Sequence, residues 1–337
     1  MSDYFESGFC VRTPSWHTKE NLLKVAPRSW GAARKEAGID WDALAVPVFG
    51  FQGINAKGVV VYEPGDGVVG DYFAIPDRQR TVRNDNGNNL GIMSTEFHVF
   101  DHKALGRIVD AFKKASKGKA EYETLLSLEG GKEVVCTLLL DEPFTVGKDT
   151  SFNLPYIIVK TRHDGTSKTK AMGSIVRVVC ANTSHWAEMD ATGKGTIFEF
   201  SHDAKWEQQM EAALAAIAGT RQAVSAFTDL GLELSKLRIT KDQRRIFVEQ
   251  FIPIPLDATT ISSRALTSKE NARETVMAIL NSDTCADVAG TGQGLWYAGI
   301  EFLDHYQGQD RSRAGRQLTP QPVKTRLAEL VREVAKA

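Results

Sequence analysis

The chain has 337 residues, of which 42% are hydrophobic and 25% charged. That is globular composition with ample material for a core, and it excludes disorder on compositional grounds. Lys and Arg number 41 against 42 Asp and Glu, for a formal net charge of −1, so no global field draws the protein to nucleic acid or to a membrane, and any phosphate binding must come from a local patch.

Residues 1–45 read as a leader followed by a short helix over 29–41, with Ser29 as cap and Gly38 as stop. A β section follows: strands are predicted at 46–51, 57–63, 68–76 and 78–85, separated by the turn-forming stretches EPGDG and NDNGN. The DNGNN turn leads into a strand over LGIMSTEFHVF, since Asn-Gly tolerates positive φ. Apolar residues at 105, 108, 109 and 112 form a helical stripe within 102–116. Strands return at 132–140 and 154–163, and the turn DGTS joins the latter to 168–183 as a second hairpin. The strand 196–202 closes this half.

From about 204 the pattern turns helical. A long Ala- and Leu-rich helix comes first, then helices over 241–255, 262–282, 291–306 and 323–337, the first of these four ended by its prolines. Strands first and helices after indicate an α+β fold, with a strand-rich N-terminal part built of antiparallel hairpins and a helical C-terminal part. The expected division is 1–203, carrying a hairpin at 157–183, and 204–337, with the two parts able to share one core.

No catalytic or metal-binding motif stands out. The four cysteines are far apart with no CxxC pair, and Cys136 and Cys180 lie in apolar runs, as small buried thiols do. GTGQG (290–294) lacks the Lys-Ser/Thr ending of a phosphate loop, so close packing of a glycine-opened helix explains it better. His98 and His102 have metal-ligand spacing but straddle a strand end and a helix start, facing different ways. No GxSxG elbow is present. We expect no cofactor, no metal and no catalytic residues. The first residues carry Asp and Glu without an apolar core, and no stretch approaches ~18 apolar residues, so no membrane partner and a cytoplasmic location are expected.

The informative polar cluster is the hairpin 157–183. Lys160, Arg162, His163, Lys168 and Lys170 crowd its tip, with Arg177 on the return strand, and such a finger can track phosphates. A solvated edge hairpin, where lysines deter aggregation, weighs evenly against this. Arg78 and Arg80 form a second run on one strand face, with Arg83 on the other. Arg238, Lys241, Arg244 and Arg245 form a third, and Tyr156 and Trp186 are aromatics near the finger that could stack on bases. Asn182 is read as satisfying buried backbone groups.

Several segments resemble one family, the "phage/plasmid-like protein" family (domain of unknown function 932). TPSWH (13–17), AGIDW (37–41) and NLGIMSTEFHVFDHKAL (89–105) are similar to its N-terminal segments. HDGTSKTKAMGSIVRVVCANT (163–183) resembles its hairpin ending in Arg-Val-Val-Cys-x-Asn-Thr, and GTGQGLWYAGIEFLDHY (290–306) its C-terminal segment. The resemblance implies a phage or plasmid origin and a bacterial host cytoplasm. Proteins of this size in such elements serve recombination, replication or evasion of host defences. The leading expectation is a DNA-binding protein of single-strand annealing and recombination type, holding single-stranded DNA by its phosphates. Homo-oligomers would extend the groove. The order of elements in 57–115 is similar to the small hairpin-and-helix core of such proteins, a likeness of fold alone. The alternative is a non-enzymatic protein that inhibits or evades a host defence, with a host protein as partner, and an enzyme ranks last. Replacing Lys160, Arg162, Lys168 and Lys170 by Ala is expected to weaken DNA binding with folding intact.

Overall fold

The computed structural model describes residues 5–11, 21–177, 197–203, 205–255, 261–306 and 321–337. In chain order, the elements begin with strands β1 (Phe5–Val11) and β2 (Asn21–Leu23) and helix α1 (Trp30–Ala37). Next come β3 (Ala43–Ile54), β4 (Val60–Val61), β5 (Val69–Arg83), β6 (Asn89–Ser94) and α2 (His102–Ala115). The strand-rich part continues with β7 (Glu121–Leu128), β8 (Glu133–Leu139), β9 (Phe144–Val146), β10 (Asp149–Arg162), β11 (Thr169–Arg177) and β12 (Ile197–Phe200). Helices α3 (Met210–Ser235), α4 (Lys241–Phe251), α5 (Ser263–Leu280), α6 (Gly292–His305) and α7 (Gln321–Lys336) complete the chain. The fold is α+β, with antiparallel strands concentrated in the N-terminal half and helices in the C-terminal half.

One sheet has the order β12-β11-β10-β8-β7-β1-β2, with β9 paired to β10, and a second has the order β4-β3-β5-β6. Two compact units are each assembled from several stretches of chain: 1–138, 158–171 and 198–214 in the first, and 139–157, 172–197 and 215–337 in the second.

In the first unit, α1 starts where the Ser29 side chain accepts from the Ala32 N–H, and it stops at Gly38, whose φ of 66° no β-carbon residue adopts cheaply. It lies against β1 and β7. The α2 stripe of Leu105, Ile108, Val109 and Phe112 is wholly buried, worth about 1.5–3 kcal/mol for each side chain. Gly106 leaves room for the Trp30 ring, 2.4 Å from where a β-carbon would stand. The seated indole N–H donates to the His102 carbonyl at 2.7 Å.

Three segments differ from expectation. The N-terminal leader contains β1, an interior strand between β7 and β2 with Phe9, Cys10 and Val11 buried. The strands predicted at 68–76 and 78–85 are one strand, β5, carried across Pro76 by a bulge, and of 57–63 only Val60–Val61 pairs. β7 was not expected at all. Seven of its eight residues are buried on both faces, which removes the period-2 signal. Its polar residues find partners inside: Thr124 and Thr137 hydroxyls meet at 2.7 Å, and Ser127 Oγ donates to Glu6 at 2.6 Å.

The second unit has a helical core that includes Leu234, Phe247, Val276, Leu295, Trp296 and Val331. Thr240 opens α4 with a capping box, and Ser262 and Thr291 cap α5 and α6. The glycines of GTGQG serve packing, as expected. A β-carbon on Gly294 would fall 2.6 Å from the Val288 carbonyl, and one on Gly292 3.0 Å from that of Leu234. Among the described residues no helix is long and apolar enough to cross a membrane.

Candidate nucleic-acid interface

The charged hairpin forms as expected, from β10 and β11 around a turn in which Asp164 Oδ1 accepts from the Thr166 N–H at 3.0 Å and Gly165 has φ 73°. Thr161 and Thr169 hydroxyls meet across it at 2.7 Å. Its cations are matched by carboxylates, from its own turn and from elsewhere. Arg162 is clamped by Asp164 at 2.6 Å, Glu133 at 2.6 Å and Glu129 at 2.7 Å. Lys160 pairs with Glu133 at 3.0 Å, while Lys168 and Lys170 share Glu199 at 3.3 and 3.5 Å. Glu129 reaches Arg162 from a tight turn in which its own φ is 54° and Gly130 and Gly131 follow with positive φ, a backbone strain of about 1–3 kcal/mol.

The electrostatics follow. Hydrogen bonds from Arg162, to Asp164 first, raise the guanidinium pKa against the opposing effect of burial. Burial alone would raise the Asp164 carboxyl, but the bonds from Arg162 and Thr166 overcome it and bring it down to about 2. Arg162 is therefore a partly buried structural cation with its donors in use. Removing it leaves carboxylates facing one another, so the expectation that folding survives its replacement does not hold for this residue. Lys168 is the most exposed cation of the group at 55%, and its carboxylate partner is a weak surface contact that a phosphate can displace. Arg177 ends β11 and its side chain lies outside the described residues, as do Cys180, Asn182 and Trp186. Tyr156 is buried, and so is not a stacking platform.

Behind the finger, His163 and His102 are fully buried, with ring centroids 5.6 Å apart and both set edge-on to Trp41. Among the described residues neither ring nitrogen of either histidine has a hydrogen-bond partner. Burial, aided by the neighbouring His202, holds His163 down to about 3, and burial with His163, Arg34 and Arg83 nearby lowers His102 well below its ordinary value. His98 is exposed, so the His98–His102 pair does not converge. Among the described residues no group of three or more His, Cys, Asp or Glu is placed to hold a metal.

The second basic run sits on a different device. β3 and β5 pair from Ala43↔Arg83 to Ile54↔Val69 as a long antiparallel ribbon. The register jumps from Pro47↔Gln79 to Val48↔Ile75, so Pro76, Asp77 and Arg78 bulge out. At the base, Thr81 and Arg83 are buried; Arg83 pairs with Glu6 and Asp85 and lies 4.3 Å over the Trp41 ring. Toward the tip both faces are open. Phe49, Phe51 and Tyr72 share one face, with Phe49 59% and Tyr72 65% exposed and the Phe51 and Tyr72 rings 5.1 Å apart. Phe51 folds over Gly53 and Gly70, and on the other face Phe73 folds over Gly50, so aromatic rings cover the gaps that glycines leave.

Arg78 and Arg80 are exposed on β5, paired with Ser94 and Ile92 of β6. Among the described residues Arg78 has an ion pair only with its exposed neighbour Asp77, at 3.7 Å. The two basic runs come together through Gly91: it pairs with Thr81, next to Arg80, and a β-carbon there would strike the Asp164 backbone at the finger tip, 2.7 Å away. Of the third cluster, Lys241, Arg244 and Arg245 lie on α4 and Arg238 precedes it; Arg245 contacts Asp242 and Glu249 at 4.0 and 3.9 Å. The ribbon aromatics were not singled out from sequence. Their signal was VFGFQGI against DYFAI, apolar residues on both alternating faces.

Strands paired as antiparallel hairpins before a set of helices place the protein in the α+β class. It belongs to the DUF932 family, a domain of unknown function, whose match spans residues 89–331. No curated protein and no solved structure matches the chain. The ribbon strands β3 and β5 precede the matched segment.

Proposed function

We propose that the protein binds single-stranded DNA, as a step in strand annealing or recombination. The observation that carries this reading is the open aromatic face of the ribbon beside the exposed Arg78 and Arg80. Rings on an exposed strand face stack on bases without regard to sequence, while Arg80, which pairs with Val46 and so points to the reverse face, and Arg78 in the bulge supply positive charge at the root of the ribbon. Lys168 and Lys170 extend that cationic edge from the neighbouring finger tip, sharing one carboxylate between them. Lys160 and Arg162 act as internal cations that shape the finger. The order hairpin, strand, helix in β3, β5, β6 and α2 suits the annealing reading by likeness of fold alone.

The test is fluorescence anisotropy with a labelled single strand and with its duplex across a salt series. Tight single-strand binding is expected, with log affinity falling against log salt at a slope of about −3 if four cations each meet a phosphate. Absence of binding at low salt sinks the proposal, and leaves the non-enzymatic host-protein partner as the better reading.

A further inference from the structure

The finger tip and the ribbon aromatics stand on the same side of the ribbon. Odd residues of β3 share a face with the residues they pair with: Ala45 with Thr81, Pro47 with Gln79, Phe49 with Ala74 and Phe51 with Tyr72. On β6 that face carries Gly91, opposite Thr81, and Met93, opposite Gln79. The finger tip rests there. A β-carbon on Gly91 would fall 2.7 Å from the Asp164 Cα, and one on Gly165 would fall 3.8 Å from the Met93 Cβ and 3.9 Å from the Phe97 ring. The Gln79 amide, also on this face, donates to the Phe97 carbonyl at 2.5 Å. From this docking row to Phe49 is four residues along β3, roughly 13 Å, and to Phe51 roughly 20 Å. The cations that share a side with the rings are therefore those of the finger. Lys168 follows the Gly165 turn by three residues, and with Lys170 it leans on Glu199 of the adjacent strand β12.

We propose that one single strand crosses this face, its bases on Phe49 and Tyr72 and a phosphate between Lys168 and Lys170, and that Glu199 holds the phosphate's place and so limits affinity. This rests on the nucleic-acid reading above and adds to it a residue that opposes binding. Two ammonium groups shared by one carboxylate already form the charge pattern that a phosphate oxygen needs. The phosphate must displace Glu199, whose charge then stays beside it and repels it. Displacement is feasible because Glu199 is 42% exposed and Lys168 more so, and such pairs hold weakly in water. Arg162 offers no such exchange, since three carboxylates of a largely shielded site hold it at once.

The experiment is fluorescence anisotropy on the full chain with a labelled single strand of about six nucleotides, across a salt series. Glu199→Gln is expected to tighten binding by about 3- to 20-fold, the release of two exposed ion pairs. It should also steepen the salt slope by about 0.7 for each lysine released. In a Lys168→Gln/Lys170→Gln background that gain should disappear, which separates release of these lysines from the loss of one negative charge. Titration at high protein concentration should give one strand per chain, because rings and finger hold the same strand. Circular dichroism and thermal unfolding check that each variant is folded. A wild type that binds while Glu199→Gln binds no tighter, a gain that persists without the two lysines, or two strands per chain overturns this inference and leaves the nucleic-acid reading standing. Absence of binding by both wild type and Glu199→Gln at low salt overturns the two together.

Discussion

Two hairpins divide the properties that a nucleic-acid site needs. The β10–β11 finger is rich in charge and closed: Arg162 is ringed by Glu129, Glu133 and Asp164, and its lysines meet Glu133 and Glu199. The β3–β5 ribbon is poor in charge and open, with Phe49, Tyr72 and Phe73 at least half exposed. Counting cations along a chain measures how much charge a segment has. Whether that charge is available depends on residues far away in sequence, and the less charged hairpin is the one that leaves its side chains open.

The largest test of that contrast is stability. Arg162→Met is expected to cost about 3–5 kcal/mol, because it strands buried carboxylates. Arg80→Met on the open ribbon should stay within about 0.5 kcal/mol. Urea unfolding of the two variants measures both, and equal losses would erase the distinction.

Acid should expose the closed side next. Unfolded histidines take up protons near pH 6.5, whereas burial keeps folded His102 and His163 neutral, the latter down to about 3. The unfolded state then binds more protons, so stability falls as pH drops below about 6.5, by up to ~1.4 kcal/mol per pH unit for each histidine. Asp164, held at about 2, contributes stability that is lost only in a lower window, from near pH 4 downward. His163→Phe should halve the histidine slope from about pH 6 down to about pH 3 and leave the Asp164 contribution in place, as read by urea midpoints at stepped pH. An unchanged slope would mean that the buried pair does not govern acid lability.

On the open side, Phe49→Ala and Tyr72→Ala should each weaken single-strand binding by about 1–3 kcal/mol, roughly 5- to 150-fold, with stability little changed. Anisotropy titrations that show no loss would remove the ribbon from the interface. The smallest effect belongs to Arg78→Ala and Arg80→Ala, each expected to flatten the salt slope by about 0.7. A slope that flattens instead with Lys160→Ala would return the finger to the leading role.

Much of the fold was legible because its signals are local. The α2 stripe, the Ser29 and Gly38 caps and both hairpin turns are written within a few residues of where they act. What could not be read was set by distance. β7 is buried on both faces and so shows no alternation, and β1 is recognisable only from the strand it pairs with more than a hundred residues later. The candidate site divides in the same way. Arg78 and Arg80 could be named from the sequence, and so could the Asp164 that faces Arg162, but the further pairing of Arg162 with Glu133 and with Glu129 on its strained turn is announced by nothing near Arg162. The ribbon aromatics were hidden by the habit of reading apolar alternation as core.

The interior placement of β1 carries a consequence for synthesis. Phe9, Cys10 and Val11 leave the ribosome more than a hundred residues ahead of their antiparallel partner, Glu121–Leu128. At ordinary elongation rates that partner follows on the order of ten seconds later. The ribbon, whose two long strands are separated by a short loop, can zip in microseconds once it emerges. Nascent chains therefore pass through an interval in which the ribbon is formed and an apolar strand beside it waits unpaired. Through that interval β1 is a natural handle for a chaperone, and an early liability when the chain is expressed at high level.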